Sequence, residues 1–384
     1  MKMAALVEEG RHRLVCHLKE TEAEPMSEHR MQYFLGANAP DGFYSLYPEL
    51  IDLERARAVY ILKGGPGCGK STLMRRVGER MEQAGLETEY ILCSGDPDSL
   101  DGLVLPQLGV AIVDGTAPHV VEAKYPAVVE RYVNLGQSYD AAGLQDIREE
   151  IIGAMDGYPA CYQRAYRCLG AAERLREDMR AALLTDAAGE KLARRARGIL
   201  ARELRPRSGG QKGRVKQRFL GAVTHKGVLC LYDTAFAQCS RVYELADRDG
   251  LAHELLIHLL AGAVEGGYDA VACPDPMAPS RLAHLLVPQR GLAFVSTAGE
   301  TALPHPADRR IHLDGAAEGD VLRRDRPRLR FARKVSAALM GEAVASLSQA
   351  KAMHDRLEAL YNPYVDFDLV EETARQIGDE ILNG

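Results

Sequence analysis

Residues 64–71, Gly64-Gly65-Pro66-Gly67-Cys68-Gly69-Lys70-Ser71, constrain this chain more than any other stretch. Four glycines and a proline within six positions exclude a helix or strand interior. Glycine loses the most backbone entropy on ordering, and proline has no amide hydrogen to donate. The apolar run Ala58-Val59-Tyr60-Ile61-Leu62 before it predicts a strand buried on both faces. Leu73, Val77, Met81 and Ala84 follow at helical spacing. The order strand, glycine loop, helix start carries the spacing G-x-x-x-x-G-K-S of the phosphate-binding P-loop.

The residue types suit that chemistry. Backbone amides of Gly64, Gly65, Pro66, Gly67, Cys68 and Gly69 would frame a phosphate chain, proline contributing shape rather than a donor. The helix that follows adds unpaired N–H groups and the positive end of its dipole. Lys70 reaches the β- and γ-phosphates, Ser71 offers a hydroxyl to Mg²⁺, and Thr72 completes the nucleotide-binding string. Cys68 is read as a small loop residue rather than a redox-sensitive thiol.

Gly85 marks the end of the helix, and Glu89-Tyr90-Ile91-Leu92-Cys93 predicts a second strand. It runs into a loop carrying Asp96 and Asp101, at the strand end where an open α/β sheet forms its ligand crevice. Either carboxylate would hold a substrate hydroxyl, position water or touch the metal shell. Gly109–Asp114 predicts a third buried strand, and its terminal Asp114 matches the Walker B pattern, a carboxylate facing Mg²⁺. Gly115 follows, where many P-loop ATPases place a water-activating Glu. Thr116 and His119 are candidates to sense the γ-phosphate.

The remaining chain divides as follows. Residues 1–30 form a charged extension, and residues 32–47 read as a hairpin turning at Ala39-Pro40-Asp41-Gly42. Residues 31–140 form the nucleotide domain, and 141–204 form an Arg-rich helical hairpin. Residues 205–218 hold Arg205, Arg207, Lys212, Arg214, Lys216 and Arg218 around a Ser-Gly-Gly, a flexible basic linker and the one stretch suited to nucleic acid. Residues 219–325 repeat the first domain and 326–384 repeat its helical segment. The net charge of −6 argues against nucleic-acid binding by the whole chain. The eight cysteines include no C-x-x-C pair, which fits a reducing cytoplasm, and no run is apolar enough for a membrane helix.

The repeat rests on echoes at a nearly constant offset. Phe219-Leu220-Gly221-Ala222 repeats Phe34-Leu35-Gly36-Ala37 after 185 residues, and Pro288-Gln289 repeats Pro106-Gln107 after 182. In the second copy Lys70 is replaced by His253, Ser71 by Glu254 and Asp114 by Ser296, while Asp247-Arg248-Asp249 replaces the first glycines. That copy is expected to keep the fold, bind no nucleotide and pack on the first as a pseudo-dimer.

Phe34-Leu35-Gly36, Gly42–Leu46, Ile61–Leu73, Asp98-Ser99-Leu100-Asp101-Gly102 and Asp114–His119 together resemble the uncharacterised bacterial ATP-binding proteins with a duplicated P-loop domain. The similarity covers the chain from about residue 31 onward. It implies ATP binding and ATPase activity but no substrate or pathway. Both halves of that family can carry a P-loop, and this chain departs from it in the second.

The expected fold is α/β: two tandem three-layer α/β/α domains of P-loop NTPase type with parallel sheets, each followed by a helical hairpin. The expected function is a Mg²⁺-dependent ATPase with one working site, Lys70, Asp114, His119 and Asp96 doing the chemistry and Ser71 with Asp114 holding the metal. The alternatives are a non-hydrolysing nucleotide-binding regulator, or a kinase for a small-molecule acceptor.

Overall fold

The computed structural model describes residues 30–207, 210–298 and 302–384. The extension before Arg30 lies outside them. The strands of the first half are β1 (Arg30–Phe34), β2 (Gly36–Ala39), β3 (Gly42–Ser45) and β4 (Ala58–Lys63). Helix α1 (Lys70–Gln83) leads to β5 (Thr88–Leu92), β6 (Leu100–Leu105), β7 (Val110–Asp114) and β8 (Glu130–Asn134). Helices α2 (Ala141–Asp146), α3 (Arg148–Asp156), α4 (Tyr158–Leu183) and α5 (Asp186–Glu203) follow.

The second half holds β9 (Val215–Gln217), β10 (Gly221–Thr224), β11 (Gly227–Cys230), α6 (Tyr232–Gln238) and β12 (Arg241–Ala246). Then come α7 (Ala252–Glu265), β13 (Ala270–Asp275), β14 (Ala278–Val287), β15 (Leu292–Thr297) and β16 (Arg309–His312). It ends in α8 (Gly319–Tyr361) and α9 (Phe367–Asn383). No described helix is long and apolar enough to cross a membrane.

The protein is α/β, built on two six-stranded sheets. The first has the order β1-β5-β6-β7-β4-β8 and the second, read from its other edge, β9-β13-β14-β15-β12-β16. The two orders correspond strand for strand. Each half adds a hairpin, β2–β3 and β10–β11. Left-handed glycines recur in pairs, Gly42 with Gly227, Gly67 with Gly250, Gly85 with Gly267 and Gly109 with Gly291.

The sheets are mixed, not parallel as expected. β6 runs antiparallel to both β5 and β7, and β14 does the same between β13 and β15. The segment Leu-Asp-Gly-Leu-Val-Leu of β6 is buried along its whole length, so it shows no period-2 alternation. Its Asp and Gly, residues that strands disfavour, gave the appearance of a loop. The expected 32–47 hairpin is also displaced: Tyr33 and Phe34 belong to β1, which pairs in parallel with β5, and the hairpin is β2–β3 alone.

The two halves share a core. Successive β15 residues point to opposite faces. Ala293 and Val295 enter a cluster with Phe34, Ile61 and Leu73 of the first half. Leu292 and Phe294 pack with Leu255 and Leu259 of α7 and Leu192 and Ile199 of α5. The layers are therefore not those of two separate three-layer domains. Phe34 and its repeat partner Phe219 exchange reciprocal backbone hydrogen bonds of 2.9 Å each. Asn38 donates to the carbonyl of its own repeat partner, Val223, at 2.9 Å.

The helical segments cross over between halves instead of forming local hairpins. α4 runs along α8, α5 packs on α7, and α9 packs on α1. α8 starts at Gly319, ahead of the expected boundary, and carries Pro327 inside it. The basic linker is ordered wherever it is described. β9 lies on the edge of the second sheet, and fully buried Arg218, with Lys216, bonds Glu89 of the first. Lys212 pairs with Glu265 and Arg214 with Asp269. These four charges have acidic partners, whereas Arg205 reaches only the Ala201 carbonyl and Arg207 only the Gly267 carbonyl and Gln289.

Candidate functional site

The chain leaves β4 at Lys63, turns through residues 64–69 and enters α1 at Lys70. Gly67 and Gly69 take φ of +69° and +82°, the left-handed region in which a Cβ is strained. Lys70 Nζ donates to the carbonyls of Gly64 at 2.8 Å and Gly65 at 2.9 Å. Cys68 is buried, and burial pushes its thiol pKa up even though Lys70 pulls against it. It stays a protonated loop residue. Ser71 Oγ accepts from the Leu100 amide at 2.9 Å, and Thr72 is exposed.

Asp114 reaches this loop through sheet register. β7 lies beside β4 with Asp114 opposite Leu62, two residues before Gly64. Its Oδ1 accepts from the amide and hydroxyl of Thr116 at 2.8 and 2.6 Å. Its Oδ2 lies 3.7 Å from Lys70 Nζ. Thr116, a candidate phosphate sensor, is bonded through both its amide and its hydroxyl to Asp114.

Asp101, the second residue of β6, faces the same place. Tyr47 donates to its Oδ2 at 3.0 Å, and His119 Nε2 lies 3.5 Å from that oxygen. The His119 ring packs against Tyr47 and Phe43, with centroids 4.7 and 5.6 Å away. Its Nδ1 is buried and has no partner among the described residues. Burial disfavours the imidazolium, but Asp101 outweighs it, and the His119 pKa is raised. Ligand atoms of Asp101, Asp114 and His119 lie within 4.8 Å of one another, and all three side chains are buried. Oxygen and imidazole ligands at that spacing suit a divalent cation.

Asp96 does not join them. It is held by Lys351 of α8 at 3.2 Å and receives the Asp98 amide at 3.2 Å. It serves as a bridge between the halves.

Other residues at the loop come from distant sequence. Tyr139 donates to the Pro66 carbonyl at 2.9 Å and packs on Tyr361. A Cβ on Gly67 would stand 2.7 Å from Asn362 Oδ1, and one on Gly69 would stand 3.0 Å from Val370. The end of α8 and the start of α9 therefore lie on the loop. Tyr47, Tyr139 and Asn362 carry no local signal. The Tyr361-Asn362-Pro363-Tyr364 break is visible in the sequence, but a break does not say which loop it reaches.

The corresponding loop of the second half is closed from within. Asp247, in the place of Gly64, accepts from the Leu251 amide at 2.8 Å and the Ala252 amide at 2.7 Å. Its carboxylate caps the start of α7, the position an anion would take. His253, in the place of Lys70, accepts from the Leu282 amide at 3.0 Å. Comparison with protein families, with curated proteins and with solved structures finds no match.

Proposed function

We propose that the first-half loop is a P-loop binding ATP with Mg²⁺, and that the chain is an ATPase with this single working site. The observation that carries the reading is the 3.7 Å approach of Lys70 to Asp114 at the start of α1. Buried Asp101 and His119 complete the surroundings.

The residues fit the group. Ser71 and Asp114 are hard oxygen donors of the kind Mg²⁺ prefers. The buried, unpartnered His119 Nδ1 is a polar atom that a phosphate oxygen or water would satisfy. Bound Mg²⁺ would neutralise charge on the β- and γ-oxygens.

The chain's own residues divide the remaining work. The first amides of α1 and the Lys70 ammonium hold phosphate charge. Thr116 fixes one oxygen of Asp114 and leaves the other directed at Lys70. Asp101 favours the charged form of His119, the form in which Nδ1 can donate a hydrogen bond. The absence of an Asn-Lys-x-Asp string favours adenine over guanine.

ATP binding and phosphate release, measured with Mg²⁺ on the wild-type protein and Lys70→Ala, test the proposal. Both are expected in the wild type and lost in the variant. Absence of ATP binding by the wild type would sink the reading. A switch that binds without turnover is the second reading. It is favoured by Gly115, whose carbonyl is held by Lys63 at 2.8 Å, and it predicts binding with no phosphate release.

A further inference from the structure

The charges around the second-half loop leave one cluster unexplained. A pocket of about 370 Å³ is lined by Arg248, Arg326, Arg330 and Arg333, with Leu322 and Leu329 at its wall. Arg248 belongs to the loop that replaces the glycines. The other three arginines stand on one face of α8 at spacings of four and three residues.

Two of the four are already paired. Arg333 makes two 2.9 Å bonds to Asp249, and Arg248 lies 3.2 Å from Asp314. Arg326 and Arg330 are exposed and have no acidic partner among the described residues. Arg323 pairs with Asp320, Arg324 with Asp325 and Arg328 with Asp178. Lys334 and Arg356 of the same helix also have no acidic partner among the described residues, but only Arg326 and Arg330 of the unpaired cations line the pocket. No carboxylate lines it.

We propose that this pocket binds a small phosphorylated ligand carrying a pyrophosphate or triphosphate group. Guanidinium forks match phosphate oxygens in pairs. Two unneutralised arginines beside two anchored ones call for an anion of more than one charge. The volume lies at the small end of ligand pockets, which favours a nucleotide-sized molecule over a nucleic-acid strand. Asp247 has taken the helix amides of α7, so the second half holds its anion by side chains instead of backbone. This inference does not depend on the first-half site.

Calorimetric titration with inorganic triphosphate, using the Lys70→Ala protein so that the first loop contributes nothing, tests it. Triphosphate is expected to bind, more weakly as salt rises. Adding Arg326→Gln with Arg330→Gln should weaken it at least tenfold. Arg326→Lys with Arg330→Lys keeps the charge but loses the forks, and should fall between. These positions are exposed, so both double variants should fold. Unchanged affinity in the Gln variant, or no binding by Lys70→Ala, would overturn the proposal. So would orthophosphate binding as tightly as triphosphate, or an oligonucleotide displacing triphosphate at equal concentration.

Discussion

Two loops occupy the same place in two sheets of identical strand order, and they treat a helix N-terminus in opposite ways. In the first, glycines leave the start of α1 without a side-chain cap, and the nearby charges are a lysine and a carboxylate 3.7 Å apart. In the second, Asp247 bonds two of the first amides of its own segment. One loop leaves the first amides of its helix without a side-chain partner, and the other fills that position with an internal carboxylate. The Asp247 pKa is raised by burial despite those amide bonds, as expected for a carboxylate that has left solvent. Replacing a glycine with Asp therefore gives the helix start an internal hydrogen-bond acceptor, which on the proposed reading takes the place of a bound phosphate. The remainder of the fold is untouched, since Gly250 keeps the left-handed turn of Gly67.

The sharpest way to break the comparison is at the two helix starts. Lys70→Ala should reduce phosphate release by about a hundred- to a thousandfold, the usual loss when a preorganised charge is removed from a transition state. His253→Ala, at the matching position, should leave release unchanged. Equal losses in both would show that the halves do not differ as described. The comparison also assumes that the halves stand or fall together. Glu89 is fully buried in β5 and bonded by Arg218 and Lys216 of the other half. Its pKa is lowered because, although burial opposes ionisation, those two cations outweigh it. Glu89→Ala leaves a buried guanidinium without its partner and should cost about 3–5 kcal/mol. Urea unfolding should still show one transition, and two separate transitions would count against a shared core.

The sequence made the first loop legible because its requirements are local. Positive φ at Gly67 and Gly69, a strand before and a helix after all leave marks within twenty residues. Asp114 was legible for a related reason, since a buried strand ending in a carboxylate declares which end faces the loop. The repeat was readable through pairs such as Phe34 and Phe219, and these two residues turn out to bond each other. What was hidden depends on long-range packing. β6 shows no alternation because both of its faces are covered. Asp96 and Asp101 looked equivalent, yet Lys351, some 250 residues away, claims the first, and Tyr47 orients the second. The crossing of α5 and α9 onto the opposite halves cannot be inferred from helical periodicity, which reveals an apolar face but not its partner.

A smaller effect is expected at Asp247. Asp247→Gly removes two hydrogen bonds to amides at the start of α7 and should lower stability by about 1–2 kcal/mol, the usual net worth of two such bonds. It also frees the amides of Leu251 and Ala252. The variant should gain weak, salt-sensitive binding of pyrophosphate at this loop, visible by titration in the Lys70→Ala background. Loss of stability with no gain in binding would mean that the carboxylate is not what closes the second loop.

The smallest effect is one of pH, because the described residues of the second half hold no buried counterpart of the His119–Asp101 pair, His354 and Glu358 on α8 being partly exposed. The His119 pKa is raised in the folded protein: burial works against the charge, but Asp101 prevails. A group with a raised folded pKa binds protons more tightly when folded, so it contributes stability that is fully present below its unfolded value of about 6.5. That contribution fades as pH climbs through the folded value. The stability difference between wild type and His119→Gln should therefore be largest near pH 5.5 and shrink steadily toward pH 8.5 in urea titrations. His284, buried in the second half, supplies the contrast. Its pKa is pushed down to about 4 by burial, with only a weak opposing pull from Asp275. It costs stability as pH falls toward that value, so His284→Gln should show the reverse slope in acid. If both variants followed the same slope, the His119–Asp101 pair would not be the charged element that sets the first site apart.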